Sequence, residues 1–136
     1  MKKLLLFIIV ISLSHKFLYY DHQFYPIACG ITDQYTHKTI SPAGTFKIIS
    51  KDEDPIFTDI NGKKLAGPYL TDKNNPYGTR ILTLDFLRHG RHYSIHGTNE
   101  PELMGQEVSH LCIRLRNEDI EKIFDKVKIG EKVIIH

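Results

Sequence analysis

The sequence has little of what marks several large classes of protein. Its net charge is only +2 and it has no run of lysine and arginine, which argues against a nucleic-acid-binding surface. Its two cysteines, Cys29 and Cys112, are too few for a disulfide framework and form no C-x-x-C pair for structural zinc. Its unbroken apolar run from Leu4 to Ile11 is too short to span a bilayer stably. What remains is an ordinary globular domain.

The bulk composition fits that description. A chain of 136 residues, 41% of them hydrophobic and 25% charged, predicts a single domain over residues 1–136 that builds one core without disulfide staples. The start of the chain is open to two interpretations. Residues 1–14 have the charged start and apolar middle of a signal peptide. The β-branched residues of Phe7–Ile11 favour a buried first strand instead.

Hydrophobic patterning predicts a mainly β domain. Two aromatic-rich runs between Lys16 and Gly30 are typical of a hairpin, and a polar loop is expected from Ile31 to Ser41. Further strands are predicted at Thr45–Ile49, Arg80–Phe86, His92–His96 and Lys132–Ile135.

One late helix and one long loop complete the pattern. The helix is predicted from Glu118 to Val127 with Asn117 as its N-cap, and its buried stripe is Ile120, Ile123, Phe124 and Val127. The segment from Lys51 to Tyr77 is rich in turn dipeptides and is predicted to be an irregular flap loop.

The residues between His96 and Arg114 carry the chemistry. A cysteine near histidines supports covalent acyl transfer, because a thiolate attacks a carbonyl while an imidazole handles protons. Strand alternation puts His92, Ser94 and His96 on one face, and it puts His110, Cys112 and Arg114 on one face of another run. Whether the two faces meet depends on strand pairing. A buried structural cysteine therefore stays open at this point.

Two other kinds of site are less well supported. His89, His92 and His96 would align as metal ligands only on a helix, and Gly90 and the β-prone residues that follow it argue against one. Neither Ser94 nor Ser109 lies in a G-x-S-x-G nucleophile elbow. We therefore predict no metal and no cofactor.

Several motifs together resemble one known family. The run I-H-G-T-N-E-P-E-L-M-G-Q-E-V-S-H-L-C-I-R-L (95–115), followed by N-x-D and a final strand, resembles the catalytic domain of L,D-transpeptidases of the YkuD type. Upstream, S-P-A-G-T-F (41–46) and N-P-Y-G (75–78) are similar to further family motifs, and Ile9–Gly30 resembles the family's opening hairpin. The resemblance covers nearly the whole chain.

The resemblance implies a fold and a function. The expected fold is an L,D-transpeptidase-like β-sandwich of mixed sheets with one late helix and a long flap loop. The expected activity is cysteine-dependent acyl transfer on the tetrapeptide stems of bacterial peptidoglycan, which cross-links the wall or attaches proteins to it. Carbapenems would then act as covalent inhibitors, and the protein would work on the extracytoplasmic, wall-facing side of the membrane.

The resemblance also implies residue roles. Cys112 would be the nucleophile and His96 the general base, with the imidazole oriented by the backbone carbonyl of Gly97. Backbone N–H groups of Cys112 and Leu111 would form the oxyanion hole. His110 would belong to the catalytic group beside Cys112, and Ser109 and Arg114 would shape the site and bind substrate.

Leu111 departs from the family pattern, which has glycine there. Glycine supplies positive φ or close backbone approach, and leucine in a left-handed conformation costs about 1–2 kcal/mol. We therefore expect a site that forms but is slower or differently selective. A non-catalytic wall-binding module and a hydrolase that cuts stems remain the alternatives.

Overall fold

The computed structural model of the chain describes residues 7–30, 41–88, 90–108 and 112–136. Four residues singled out by the sequence lie outside these ranges, as does most of the predicted loop from Ile31 to Ser41. They are His89, Ser109, His110 and Leu111.

The described residues confirm a mainly β fold with one late α-helix. A mixed eight-stranded sheet has the order β11-β9-β8-β5-β12-β1-β2-β3, and two further ribbons pair β10 with β4 and β6 with β7. The strands are β1 (Ile9–Ser12), β2 (Phe17–Tyr20), β3 (Gln23–Pro26), β4 (Cys29–Gly30), β5 (Gly44–Glu53), β6 (Phe57–Thr58), β7 (Lys64–Ala66), β8 (Arg80–Arg88), β9 (Arg91–His96), β10 (Glu107–Val108), β11 (Ile113–Arg114) and β12 (Lys132–Ile135). The helix is α1 (Asn117–Phe124), and a 3₁₀ turn covers Pro101–Leu103.

The first strand confirms the prediction made for Phe7–Ile11. β1 pairs in parallel with β12 and antiparallel with β2, so it lies inside the sheet rather than at its edge. Ile9 and Ile11 are fully buried opposite Val133 and Ile135. The β-branched run is therefore core, as expected for a strand with neighbours on both sides. No helix within the described residues is long and apolar enough to cross a membrane.

The helix confirms most of its predicted stripe but neither its predicted cap nor its predicted end, because α1 stops at Phe124 and Val127 lies beyond it. Ile120, Ile123, Phe124 and Val127 are all buried in the main core. The N-cap position is Arg116, without a side-chain capping bond, and Asn117 is already helical. The prediction of Asn117 as N-cap is wrong because its amide bonds to two loops instead of to the helix.

The segment from Lys51 to Tyr77 is more ordered than predicted. β5 continues to Glu53 because it pairs with β8, and β6 and β7 form a ribbon inside the segment. The amide of buried Asn75 donates to the carbonyl oxygens of Pro55 and Gly67, at 2.7 Å each. The turn-rich sequence hid this structure, because β6 and β7 are only 2 and 3 residues long and the Asn75 bonds are tertiary, so neither leaves a periodic pattern in the sequence.

Candidate active site

The parallel pairing of β9 with β11 builds the site. Ile95 lies opposite Ile113 and His96 opposite Arg114. Cys112 directly precedes β11 in a bend, and the hydroxyl of Ser94 donates to its sulfur at 3.4 Å. The strand is shorter than the alternating run predicted through His110 to Leu115, so Cys112 stands at the strand's end. The sulfur therefore lies beside β9, two residues before His96 in register.

The imidazole of His96 has a defined orientation. Its side chain is buried, and Nδ1 lies 2.6 Å from the carbonyl oxygen of Gly97. A carbonyl can only accept, so Nδ1 carries the proton in this contact. The lone pair of Nε2 is then the one that can take a proton. This is the arrangement that a general base requires.

The flap segment packs against the same imidazole. The ring of Tyr77 meets the His96 ring edge-on, with centroids 5.0 Å apart. Arg91 donates from Nη1 to the Tyr77 hydroxyl at 2.9 Å and from Nη2 to the Thr58 carbonyl at 3.0 Å. Burial raises the pKa of the Tyr77 phenol, and nearby Arg91 partly opposes this. Tyr77 is therefore a neutral wall of the site at physiological pH.

Arg114 is an internal residue. Its side chain is 2% exposed, and Nη1 lies 3.4 Å from Oε1 of Glu100, whose own side chain is 47% exposed. Its backbone exchanges hydrogen bonds with Ala28. Arg114 therefore connects β11 to the loop that follows His96, and its buried position suits shaping of the site.

Asn117 is the residue that sequence reasoning missed. Its Oδ1 accepts from the backbone N–H of Thr98 at 3.0 Å and of Thr79 at 3.2 Å, and its Nδ2 donates to the Thr98 carbonyl at 2.9 Å. A Cβ at Gly78 or Gly97 would overlap Oδ1. The available signals were the N-x-D motif and the two glycines, but only tertiary structure brings them together.

Other candidate residues stand apart from this centre. Cys29 and Cys112 are both free thiols, and Cys29 is buried with a raised pKa caused mainly by desolvation. Such a thiol is poorly reactive. His92 is exposed and bonds through Nδ1 to the Leu84 carbonyl. Across the described ranges, no group of three His, Cys, Asp or Glu side chains could hold a metal ion.

Comparison with known proteins identifies the family. The family model for the L,D-transpeptidase catalytic domain, YkuD, matches residues 7–135. The chain belongs to this family. The match confirms the resemblance inferred from the H-G-T and C-I-R motifs.

The relatives are longer proteins. YqjB of Bacillus subtilis, assigned to the L,D-transpeptidases, is 35% identical over 112 residues, which are 82% of this chain and 57% of YqjB. YbiS of Escherichia coli K12, assigned likewise, is 47% identical over 72 residues, which are 53% of this chain and 22% of YbiS. The chain thus spans little more than half the length of the first and less of the second.

Solved structures share the fold. L,D-transpeptidase 3 from Mycobacterium tuberculosis, in complex with a faropenem-derived adduct, superposes with a TM-score of 0.64 at 19% identity, over 95% of this chain and 59% of that one. The catalytic domain of the E. faecium L,D-transpeptidase gives 0.64 at 19%, over 94% and 95% of the two chains. At this identity the likeness establishes the architecture alone.

Proposed function

We propose that this domain transfers acyl groups of peptidoglycan stem peptides through a thioester on Cys112. One observation carries the proposal. The pairing of β9 with β11 brings the Cys112 sulfur beside the strand that bears His96, and the His96 ring is held through Nδ1 by Gly97. A thiol near an oriented imidazole is the minimum equipment for covalent acyl transfer.

The first half-reaction forms the thioester. Nε2 of His96 takes the thiol proton as the Cys112 sulfur bonds to the carbonyl carbon that precedes the terminal D-alanine. The Ser94 hydroxyl, already donating to the sulfur, stabilises its negative charge. The carbon–nitrogen bond then breaks, and His96 returns the proton to the departing amine of D-alanine.

The second half-reaction releases the enzyme. An amine of a neighbouring stem attacks the thioester carbon and gives its proton to His96. The carbon–sulfur bond breaks, and Cys112 regains a proton from the imidazolium. The product is a cross-link between stems. Water in place of the amine would give a shortened stem instead.

The remaining signature residues would serve the same centre. Backbone N–H groups of Cys112 and Leu111 would bind the oxyanion, and removal of one such donor typically slows a reaction by about 10²–10³-fold. Ser109 and His110 would line the substrate site. Arg114, buried against Glu100, would hold the loop beyond His96 in place.

The relatives support the substrate class and the inhibitors. Fold neighbours include an enzyme with a faropenem-derived adduct and an L,D-transpeptidase in complex with imipenem. Strained β-lactams of this kind acylate nucleophiles, so a carbapenem should report whether Cys112 is reactive. Because peptidoglycan lies outside the cytoplasmic membrane, we also propose an extracytoplasmic, wall-facing location.

Intact mass after exposure to a carbapenem tests the proposal. We expect wild-type protein to gain the mass of one drug molecule, and Cys112→Ala and His96→Ala to gain none or to react far more slowly. Circular dichroism should show that all three are folded. A folded wild type without an adduct would contradict the proposal and favour a wall-binding module.

Product analysis with a tetrapeptide stem and an acceptor amine separates transfer from hydrolysis. We expect a joined peptide together with free D-alanine. Release of D-alanine with only a tripeptide product, at saturating acceptor, would identify a hydrolase instead.

A further inference from the structure

Two loops contact the imidazole of His96, and they come from different parts of the chain. Gly97, which directly follows β9, supplies the carbonyl oxygen at Nδ1. Tyr77, which lies three residues before β8, supplies the ring that packs edge-on against the imidazole. Correct orientation of His96 therefore requires that both loops keep their positions relative to each other.

We propose that Asn117 is the positioning residue that fixes His96, by locking these two loops together with one side-chain amide. The proposal rests on the function proposed above, since it concerns the same base. Asn117 contacts neither the His96 ring nor the Cys112 sulfur in any hydrogen bond described, so its effect must pass through Gly97 and Tyr77.

The hydrogen bonds of the amide support this role. Oδ1 accepts from the N–H of Thr98 at 3.0 Å, and Nδ2 donates to the carbonyl of the same residue at 2.9 Å. This pair of bonds fixes the peptide groups on both sides of Thr98, the first of which contains the Gly97 carbonyl. The same Oδ1 also accepts from the N–H of Thr79, two residues after Tyr77. One oxygen thus joins the loops.

The glycines show that the contact is built into the chain. A Cβ at Gly78 would overlap Asn117 Oδ1 and the backbone of Gly97 and Thr98. A Cβ at Gly97 would overlap the same oxygen. Gly78 also has φ +64, a conformation that glycine adopts readily. Both loops therefore come too close to the amide for any other residue.

The helix gives no competing reason for asparagine at this position. Asn117 is the first residue of α1, its N-cap neighbour Arg116 makes no side-chain capping bond, and the amide points to the loops instead. Asparagine is a poor helix former because its side chain bonds to nearby backbone. Here the side chain bonds to the backbone of Thr79 and Thr98, which are distant in sequence, rather than to the backbone of its own helix.

The consequence concerns the tautomer of His96. The Gly97 carbonyl holds the proton on Nδ1 and leaves Nε2 to act as base. If the peptide between Gly97 and Thr98 moves, the Gly97 carbonyl no longer accepts the hydrogen bond from Nδ1, and the ring can adopt the other tautomer. A base in the wrong tautomer cannot accept the thiol proton.

The test uses Asn117→Ala and Asn117→Asp, with Glu121→Ala as matched control. Glu121 also joins α1 to the Tyr77 loop, through the Thr79 hydroxyl at 2.5 Å, but no described bond links it to Gly97 or Thr98. The readouts are the ¹⁵N chemical shifts of the His96 ring, which report its tautomer, and the alkylation rate of Cys112 by iodoacetamide at pH 7. Cys112→Ala gives the background, including any reaction of buried Cys29.

We expect Asn117→Ala to lose the Nδ1–H signature of His96. Its Cys112 should be alkylated about tenfold more slowly, which corresponds to losing the one hydrogen bond between His96 and Gly97. Glu121→Ala, which removes the acceptor of the Thr79 hydroxyl, should lower the melting temperature while both readouts stay at wild-type values. Wild-type readouts in folded Asn117→Ala would overturn the proposal. An equal fall in Glu121→Ala would also overturn it, because it would indicate general loosening of the contact between α1 and the Tyr77 loop.

If Asn117→Ala does not fold, Asn117→Asp decides. Its second oxygen cannot donate to the Thr98 carbonyl, so we expect a smaller change in the same direction, and unchanged readouts would overturn the proposal. Neither readout needs peptidoglycan. A wild type that forms no carbapenem adduct would therefore refute the proposed function while leaving the role of Asn117 testable.

Discussion

Substitution of Gly97 by alanine should destabilise the protein through a residue that is distant in sequence. The new Cβ would lie closer than 3.0 Å to Asn117 Oδ1, a separation that real Cβ atoms do not tolerate, so the amide must move. That oxygen accepts from the N–H groups of Thr79 and Thr98, which are 5% and 0% exposed. Leaving two buried donors without their acceptor costs about 2–4 kcal/mol in total.

A double-mutant cycle makes the reasoning quantitative. Asn117→Ala removes the same two acceptor bonds, so Gly97→Ala should add little in that background. We expect the two substitutions to be non-additive by about 1–3 kcal/mol. Urea unfolding with a common m-value measures each free energy of unfolding.

Gly67→Ala is the matched control. Gly67 is buried, but a Cβ there would meet only atoms at 3.7–3.9 Å, which is ordinary contact. We expect its free energy of unfolding to change by less than about 0.5 kcal/mol. The reasoning fails if Gly97→Ala behaves like this control, or if its effect and that of Asn117→Ala simply add.

Three further predictions concern the sulfur, the oxyanion site and the core. Ser94→Ala removes the donor to the Cys112 sulfur, so alkylation at pH 7 should slow about fivefold, whereas Ser94→Thr keeps the hydroxyl and most of the rate. Leu111→Gly restores the family residue, and we expect faster acylation by a carbapenem. Burial, and then the hydrogen bond to Glu131, raise the pKa of Tyr20. The folded state keeps this proton above pH 10 while the unfolded state loses it, so wild-type stability should fall by about 1.4 kcal/mol per pH unit there and Tyr20→Phe should lack this component.

Each of these has a contrary outcome. Equal alkylation of Ser94→Ala and wild type would show that the hydroxyl does not act on the sulfur. Acylation of Leu111→Gly at or below the wild-type rate would show that leucine at this position does not slow the reaction. The contrary result is a pair of parallel pH–stability curves for wild type and Tyr20→Phe, measured by urea unfolding from pH 9 to 11. It would mean that Tyr20 has the same pKa in the folded and the unfolded protein.

The hydrophobic pattern along the sequence was enough to predict β1 and the buried face of α1. β1 follows from its β-branched run, and the stripe of α1 follows from helical spacing, because burial of one face dominates in each case. The residues proposed as nucleophile and base, Cys112 and His96, were also singled out by their motifs. Their strands pair in parallel, however, and such partners are joined through a crossover, so their register could not be derived from spacing.

Asn117 shows where local rules fail. An asparagine just before an amphipathic run is the common signature of an N-cap, yet tertiary contacts with Thr79 and Thr98 take its amide away from the helix. Asn75 is a second example of a side chain whose tertiary hydrogen bonds local rules do not predict, and it lies in the flap segment. Its amide holds together residues whose turn-rich sequence predicts only a loop.

The position of β12 has a consequence for how the domain assembles. Within the described residues, β12 lies between β1 and β5, so the strands β1 to β3 join the rest of the sheet through β12. During synthesis, β1 therefore keeps an unpaired edge until β12 has left the ribosome. Contacts so distant in sequence slow folding and leave such edges exposed to other chains. Chaperone protection of this domain would therefore matter most for β1 to β3, in the interval before β12 is translated.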